Sequence, residues 1–404
     1  MSKLANYRAR RRAGMVLPLA AVAALAAGGL STALAKGASY EVLYNFAGDG
    51  EIPYDNLKRS NSGHLYGTTL EGGGTGCGGN GCGTVFKITK SGAETVLYSF
   101  EGSGNCGFPG RGTLINDSAG NLYGMTILGG AGCEGSVFEL APDGTETVLH
   151  SFGGGLGDGA YPEAGLTADS KGNLYGTTQE AGAHDVGTVF EVALDGTETL
   201  LHSFAGPPND GAYPRADLLT IGGNIYSTTY QGGANNDGTV FELVKGKKGA
   251  WTEKVLHSFA GADGMGPWAD LTKDSAGNVY GTAIGGGANG YGDVFKLAPD
   301  GTFTVLYSFQ GSGDGEYPYS AVLMAKNGDL YGTTGGTQQA PYFGTVFQLA
   351  PDGTETVLHA FAGSPNDGSC ALGAGPLTEI GGYLYGTTYE GGSSNLGIAF
   401  RIKE

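Results

Sequence analysis

Seven copies of one short pattern leave this chain few folds to choose from. The pattern is clearest at residues 161–204: Tyr-Pro-Glu-Ala-Gly-Leu, Gly-Asn-Leu-Tyr-Gly-Thr-Thr, Gly-Thr-Val-Phe-Glu-Val, then Thr-Glu-Thr-Leu-Leu-His-Ser-Phe. The Leu-Tyr-Gly-Thr-Thr element recurs around Tyr66, Tyr123, Tyr175, Tyr226, Tyr280, Tyr331 and Tyr385. The Gly-Thr-Val-Phe element ends at Phe86, Phe138, Phe190, Phe241, Phe295, Phe347 and Phe400, and Val-Leu-His-Ser-Phe at Phe46, Phe100, Phe152, Phe204, Phe259, Phe309 and Phe361. The period is about 52 residues, which implies units that bury their faces on one another.

Each unit reads as four strands. Pro-x-Ala-x-Leu is the first and innermost. An Asp-Ser-x-Gly-Asn turn leads to Leu-Tyr-Gly-Thr-Thr, and a Gly-rich loop leads to Gly-Thr-Val-Phe. A tight turn such as Pro142-Asp143-Gly144 leads to Thr-Val-Leu-His-Ser-Phe. Pro presets φ in that turn and Gly takes the positive φ, so the last two strands form an antiparallel hairpin. The link to the next unit, typically Gly-x-x-x-Asp-Gly-x-x-Pro, is long enough to cross from the outer edge of one sheet to the inner edge of the next. The expected fold is all-β: a seven-bladed β-propeller of four-stranded antiparallel blades. The pattern opens at 42–46 with a fourth strand and finishes at 397–400 with a third. Pairing the two closes the ring without a free edge. The Gly after the repeat Tyr, as in Gly176, is expected to let the adjacent sheet approach. No segment looks helical. The Gly content, 79 of 404 residues, falls at fixed repeat positions and marks turns rather than disorder.

Residues 1–35 stand outside the repeat. Lys3, Arg8, Arg10, Arg11 and Arg12 precede an apolar run from Met15 to Leu30 and an Ala33-Leu34-Ala35 cleavage pattern. This is the grammar of a secretory signal peptide cleaved near Ala35. The expected organisation is therefore a signal peptide, 1–35, and a propeller, 36–404, in a secreted protein: extracellular, periplasmic or at the cell surface. No transmembrane segment is expected in the mature chain, which reads as a monomer. The formal charge is −17, and five cations leave with the leader. So acidic a chain repels nucleic acid, whose binding needs Lys and Arg clusters. Of the five cysteines, Cys77–Cys82 and Cys106–Cys133 are the disulfides that cost the chain least, with Cys370 left over.

The motif set Gly-Asn-Leu-Tyr-Gly-Thr-Thr, Gly-Thr-Val-Phe and Val-Leu-His-Ser-Phe resembles the GloVer tandem repeat of "choice-of-anchor" secreted bacterial proteins, over roughly residues 40–404. The order Pro-x-x-Leu, Asp-x-x-Gly-Asn-x-Tyr and Pro-Asp-Gly is also similar to NHL-type propellers. The resemblance implies an exported repeat protein and brings no biochemical activity with it.

Candidate chemistry has to be sought where the repeat is broken. His150, His202, His257 and His359 share one repeat position with Tyr44, Tyr98 and Tyr307, which reads as packing or hydrogen bonding rather than catalysis or metal binding. Asp49, Asp158, Asp210, Asp263, Asp314 and Asp367 recur in the crossovers, where Asp before Gly makes an Asx-type turn; a ring of carboxylates holding Ca²⁺ is the alternative. The position after the inner-strand Pro varies freely. It is Tyr54, Gly110, Glu163, Arg215, Trp268 and Tyr319 in turn, with Arg111 one further on. Aromatics, a carboxylate and guanidiniums around one channel mouth suit a sugar or peptide ligand. The expected function is a non-catalytic binding or interaction module for extracellular glycan or protein ligands. The competing readings are a lyase or hydrolase acting on polymer at the mouth, and a structural envelope protein. No catalytic residue, metal set or cofactor motif can be named from the sequence.

Overall fold

The computed structural model describes residues 39–404 apart from 49, 56, 61–62, 78, 102–106, 111, 312, 337–342 and 374. The expected signal peptide lies outside the described residues. Seven small antiparallel sheets form the blades of a propeller ring. Among the described residues the helical content is one 3₁₀ turn, Lys247–Gly249, at the tip of a long hairpin. That hairpin is less of a loose turn than its lysines suggest: its ladder runs on to Lys245↔Trp251, with the Lys245 Nζ 5.0 Å from the Trp251 ring centroid.

Blade 4 shows the plan. Strands Asn224–Gly232, Thr239–Lys245 and Trp251–Ser258 follow one another antiparallel, and Gly211–Pro214 and Leu219–Ile221 both pair with Asn224–Gly232. The innermost strand is thus in two pieces, and Pro-x-Ala-x-Leu is where it breaks rather than the strand itself. Pro214 faces Thr229 and Leu219 faces Tyr226, so four residues stand opposite two. The excess pushes out as a bulge. The Ser227 hydroxyl ties it down by donating to the carbonyls of Ala216 and Asp217, at 3.3 and 3.1 Å.

The repeated side chains now have reasons. The second Thr of Gly-Thr-Thr shares a buried hydroxyl pair with the Thr of Gly-Thr-Val-Phe: Thr69–Thr84, Thr178–Thr188 and Thr229–Thr239 lie at 2.8, 2.7 and 2.8 Å. The repeat Tyr reaches the Asp that shapes the preceding turn, as in Tyr123 to Asp117 at 3.2 Å and Tyr280 to Asp274 at 3.0 Å. The outer strand carries a β-bulge at its Leu. In blade 3, Val189 pairs with His202 but Phe190 with Leu200, so Leu201 is skipped. The same shift recurs in the other blades, and it accounts for the side-by-side apolar residues of Val-Leu-His. The Gly of the repeat Tyr-Gly serves its own blade rather than the neighbouring sheet: a Cβ on Gly67 would lie 2.5 Å from Cζ of Phe86, its cross-strand partner.

Blades are joined by phenylalanines. The Phe ending each outer strand meets the Gly-Thr-Val-Phe ring of the next blade edge-on, with centroids 5.0–5.4 Å apart, from Phe46–Phe86 round to Phe361–Phe400. Such a pair is worth about 0.5–1.5 kcal/mol beyond the area it buries, and one sits in the apolar cluster at each of the seven seams. The strand Tyr40–Asn45 pairs antiparallel with Ile398–Lys403, with Tyr40 opposite Ile402 and Val42 opposite Phe400, so the first strand of the fold completes the last blade. The Arg401 guanidinium donates to the Glu41 carboxylate across that junction at 2.6 and 2.9 Å.

Candidate functional site

Because the strands alternate in direction, the crossovers and Gly-rich loops gather at one end of the ring, and the Asp-Ser-x-Gly-Asn turns and Pro-Asp-Gly hairpins at the other. The broken inner strands face the axis. Their variable residues form two levels.

On the crossover side, four of the sequence-predicted residues meet in blade order. Glu163 is buried in blade 3, and the Arg215 Nε of blade 4 lies 3.8 Å from its Oε2. Gln179 bridges the two: in the amide orientation that satisfies both neighbours, its nitrogen donates to Glu163 Oε1 at 3.0 Å and its oxygen accepts from Arg215 Nη2 at 2.5 Å. The Arg215 Cζ then lies 4.0 Å from the Trp268 ring centroid and 4.8 Å from that of Tyr230. Trp268 in turn meets Tyr230 and Tyr319 edge-on, at 5.2 and 5.8 Å. Carboxylate, amide, guanidinium and three aromatic rings thus run through blades 3 to 6. The cluster is denser than an open mouth: Trp268 is 6% exposed, whereas Arg215, Tyr230 and Tyr319 keep partial access. Tyr54 does not join it. It is fully buried near Tyr389, with Leu70, Phe108, Ile127 and Leu128 around it. Gly110 adds no side chain, and Arg111 lies outside the described residues.

Gln179 and Tyr230 were not singled out by sequence, yet a signal existed. The residue after Gly-Thr-Thr or its equivalent is Leu70, Ile127, Gln179, Tyr230, Ile284, Gly335 and Tyr389 in successive units, as variable as the position after the Pro.

Below this level a cavity of about 240 Å³ occupies the axis on the side of the turns. Leu57, Leu166, Leu218 and Leu271 form its apolar wall, and Asp217, Asp270 and Lys58 supply charge. Both carboxylates come from the bulges. Asp270 accepts from the Asp217 backbone N–H at 2.7 Å, and Asp217 accepts from the Gly165 N–H. Burial pushes the Asp217 carboxyl up to about 6, against the pull of that hydrogen bond and of the Lys58 charge. Burial, and the charges of Asp217 and Asp55, raise Asp270 well above its ordinary value. A carboxyl whose proton affinity is raised by burial beside a cavity is the kind of group that gives or takes protons. No motif marks these residues in the sequence, since Asp in a turn-rich chain is commonplace.

The two recurring rings interlock in the structure. The His202, His257 and His359 Nε2 atoms lie 3.2, 3.0 and 2.9 Å from Asp210, Asp263 and Asp367, and the Tyr307 hydroxyl donates to Asp314 at 2.7 Å. The same carboxylates accept backbone N–H groups that shape the crossover: Asp210 from Ala205 and Gly211 at 2.8 and 2.6 Å, Asp367 from Ala362 and Gly368 at 2.9 and 2.7 Å. Asp49 lies outside the described residues. Cys77 and Cys82 are joined within the Gly-rich loop of blade 1, with Cα atoms 5.4 Å apart. The expected Cys106–Cys133 pair includes Cys106, outside the described residues, and Cys370 is buried.

The seven-fold unit matches the Gloeobacter/Verrucomicrobia repeat over residues 24–241 and 218–404. The chain belongs to this repeat family. Among solved structures, this Gloeobacter/Verrucomicrobia repeat protein is similar to a puromycin hydrolase mutant complexed with PGG, at 15% identity and a TM-score of 0.54, over 84% of this chain and 50% of that one. It is also similar to a luciferin-regenerating enzyme, at 12% identity and a TM-score of 0.46, over 91% of this chain and 96% of that one. Likeness at such identities extends to the fold alone. No curated protein matches this chain. Among the described residues, no helix is long and apolar enough to cross a membrane.

Proposed function

We propose that this repeat protein is exported and works outside the cytoplasm as a non-catalytic binding module for an extracellular glycan or protein ligand. One observation carries the reading: the Arg215 guanidinium packs against both the Trp268 and Tyr230 rings and is held from behind by Gln179 and Glu163. A ring fold needs its blades alike, and packing alone is served by the repeated Phe and Leu. Unlike residues that meet one another across four blades are therefore an addition to the scaffold. Clustered aromatic rings and an oriented guanidinium suit the apolar face and the hydroxyls or carboxylate of a sugar, or an aromatic or acidic peptide side chain. The basic and apolar sequence of residues 1–35 supports export.

The test is a glycan, polymer and protein array on the wild type, followed by affinity measurements on Arg215→Ala and Tyr319→Ala. Loss of a central anchor typically weakens binding by about thirtyfold. Unchanged affinity in both variants would remove the site from this cluster. A hydrolase or lyase is the second reading, favoured by Asp217 and Asp270 beside the axial cavity. Turnover of an array ligand that disappears in Asp217→Asn would establish it instead.

A further inference from the structure

We propose that His150, Asp158 and Glu198 form a binding site for one first-row divalent cation, of the Zn²⁺ type, at the seam between blades 2 and 3. The site arises from the ring geometry. His150 lies on the outer strand of blade 2, Asp158 in the crossover that leaves it, and Glu198 at the start of the outer strand of blade 3. One nitrogen and two carboxylate oxygens, one from each residue, lie within 4.8 Å of one another. No other group of three metal-ligating side chains converges in this way among the described residues.

Comparison with the other seams sets this one apart. At three of them the His Nε2 and the crossover Asp are in hydrogen-bond contact, at 2.9–3.2 Å. Here the distance from His150 Nε2 to Asp158 Oδ1 is 3.6 Å, too long for a hydrogen bond. The His150 Nε2 is buried and lacks a hydrogen-bond partner, unlike the nitrogens at those three seams; the Glu198 Oε1 is unpartnered too, as are the matching oxygens of Glu253 and Glu355. Buried polar atoms are seldom left so. A tetrahedral ion with ligand distances of about 2.0–2.2 Å holds its donors about 3.3–3.6 Å apart; the His150–Asp158 separation of 3.6 Å matches this, and Glu198 has an oxygen within 4.8 Å of both. Asp158 is already aimed: its Oδ2 accepts from Gly153 N–H at 2.6 Å and its Oδ1 from Gly159 N–H at 2.7 Å. The site is reachable from solvent, because residues 153–157 are exposed and the His150 and Asp158 side chains keep 18% and 25% of their surface.

The donor set selects the ion. Imidazole with two carboxylates suits Zn²⁺, Co²⁺ or Mn²⁺, whereas Ca²⁺ takes six to eight oxygens. Three protein ligands leave a position for water, and the two carboxylate charges offset the ion's own. The matching positions elsewhere show how the seams are built without a metal: Tyr44, Tyr98 and Tyr307 replace the His in three blades, Phe303 replaces the Glu in blade 5, where it stacks on His257 at 3.6 Å, and where His202, Asp210 and Glu253 recur the His and Asp are in direct contact at 3.2 Å.

Those substitutions supply the test. Protein treated with a chelator and then dialysed is titrated with ZnCl₂ by calorimetry and with CoCl₂ by visible absorption, and its melting temperature is followed with and without Zn²⁺. Wild type is expected to bind one equivalent, to give the d–d bands of four- or five-coordinate Co²⁺, and to melt higher with Zn²⁺. His150→Tyr, which places here the residue of other blades, should weaken binding by about a hundredfold or more and abolish the Co²⁺ bands. Glu198→Gln, nearly isosteric, should do so even if the Tyr variant folds poorly. Absence of saturable binding to wild type, or equal binding by both variants, overturns the proposal. Neither result bears on the Arg215 cluster, which lies by the axis.

Discussion

The Tyr40 ring lies flat on the His359 imidazole, 3.6 Å between centroids and 8° from parallel. Its hydroxyl donates to Asp367 at 2.6 Å, the carboxylate that His359 also contacts. Tyr40 belongs to the strand that completes blade 7, and His359 to the outer strand of blade 6, so this contact ties the closing strand to the neighbouring blade. Tyr40→Ala should lower stability by about 2–4 kcal/mol, through a lost ring and an orphaned acceptor. Deleting residues 36–47 should do far more, leaving the Ile398–Lys403 edge open and the protein prone to aggregate. Thermal melts and light scattering compare the two; a deletion variant that melts like its parent would show the closure carries no stability.

The crossover aspartates should be structural. Asp210→Ala removes the acceptor for two backbone N–H groups and the partner of His202. A cost of about 2–4 kcal/mol is expected, read by denaturant unfolding. Asp210→Asn, which keeps one acceptor oxygen, should lose less. Equal losses would mean that charge, and not hydrogen bonding, holds the crossover.

Stability should peak in mild acid. Burial first, and then the charges of Asp210 and Asp314, push the Glu253 and Glu355 carboxyls up to about 7 and about 8. An unfolded Glu titrates near 4.5. Between those values the folded chain holds protons that the unfolded chain releases, so stability falls as pH rises from about 4.5 to about 8. Asp367 works in the opposite sense. Burial raises it, but hydrogen bonds from His359, Tyr40 and the Ala362 N–H outweigh burial and bring it below 3.8, so its contribution is lost as pH falls through that range. Melting temperature measured from pH 3 to 9 should be highest at about 4.5–6, and Glu355→Gln should flatten the alkaline side. A curve flat from pH 5 to 9 in wild type would refute the reading of these seams.

Arg215 should be visible to Trp268. The chain has two tryptophans, so Trp251→Phe leaves Trp268 as the single reporter. Arg215→Ala in that background should change its emission and cost about 1–2 kcal/mol of stability, whereas Arg215→Lys should retain part of both. An emission spectrum indifferent to Arg215 would rule out the contact between Arg215 and Trp268.

Architecture was legible in the sequence because it is repeated. Seven Phe-ending strands, seven strands centred on the repeat Tyr and an incomplete unit at each end determine the blade count and which strands must meet, since every copy faces the same packing problem. The sequence also located Glu163, Arg215, Trp268 and Tyr319 as departures from the repeat. Tertiary structure decided what those departures do. A linear pattern cannot show that Pro-x-Ala-x-Leu bulges, and the bulge is what places Asp217 and Asp270 beside the cavity. Nor can it show that Tyr54 packs apart from Arg215, because their neighbours come from blades far away in the chain. His150 makes the same point at the seam. By position it is one of four like histidines, and only its distance to Asp158, a few tenths of an ångström longer than at the other three, distinguishes it.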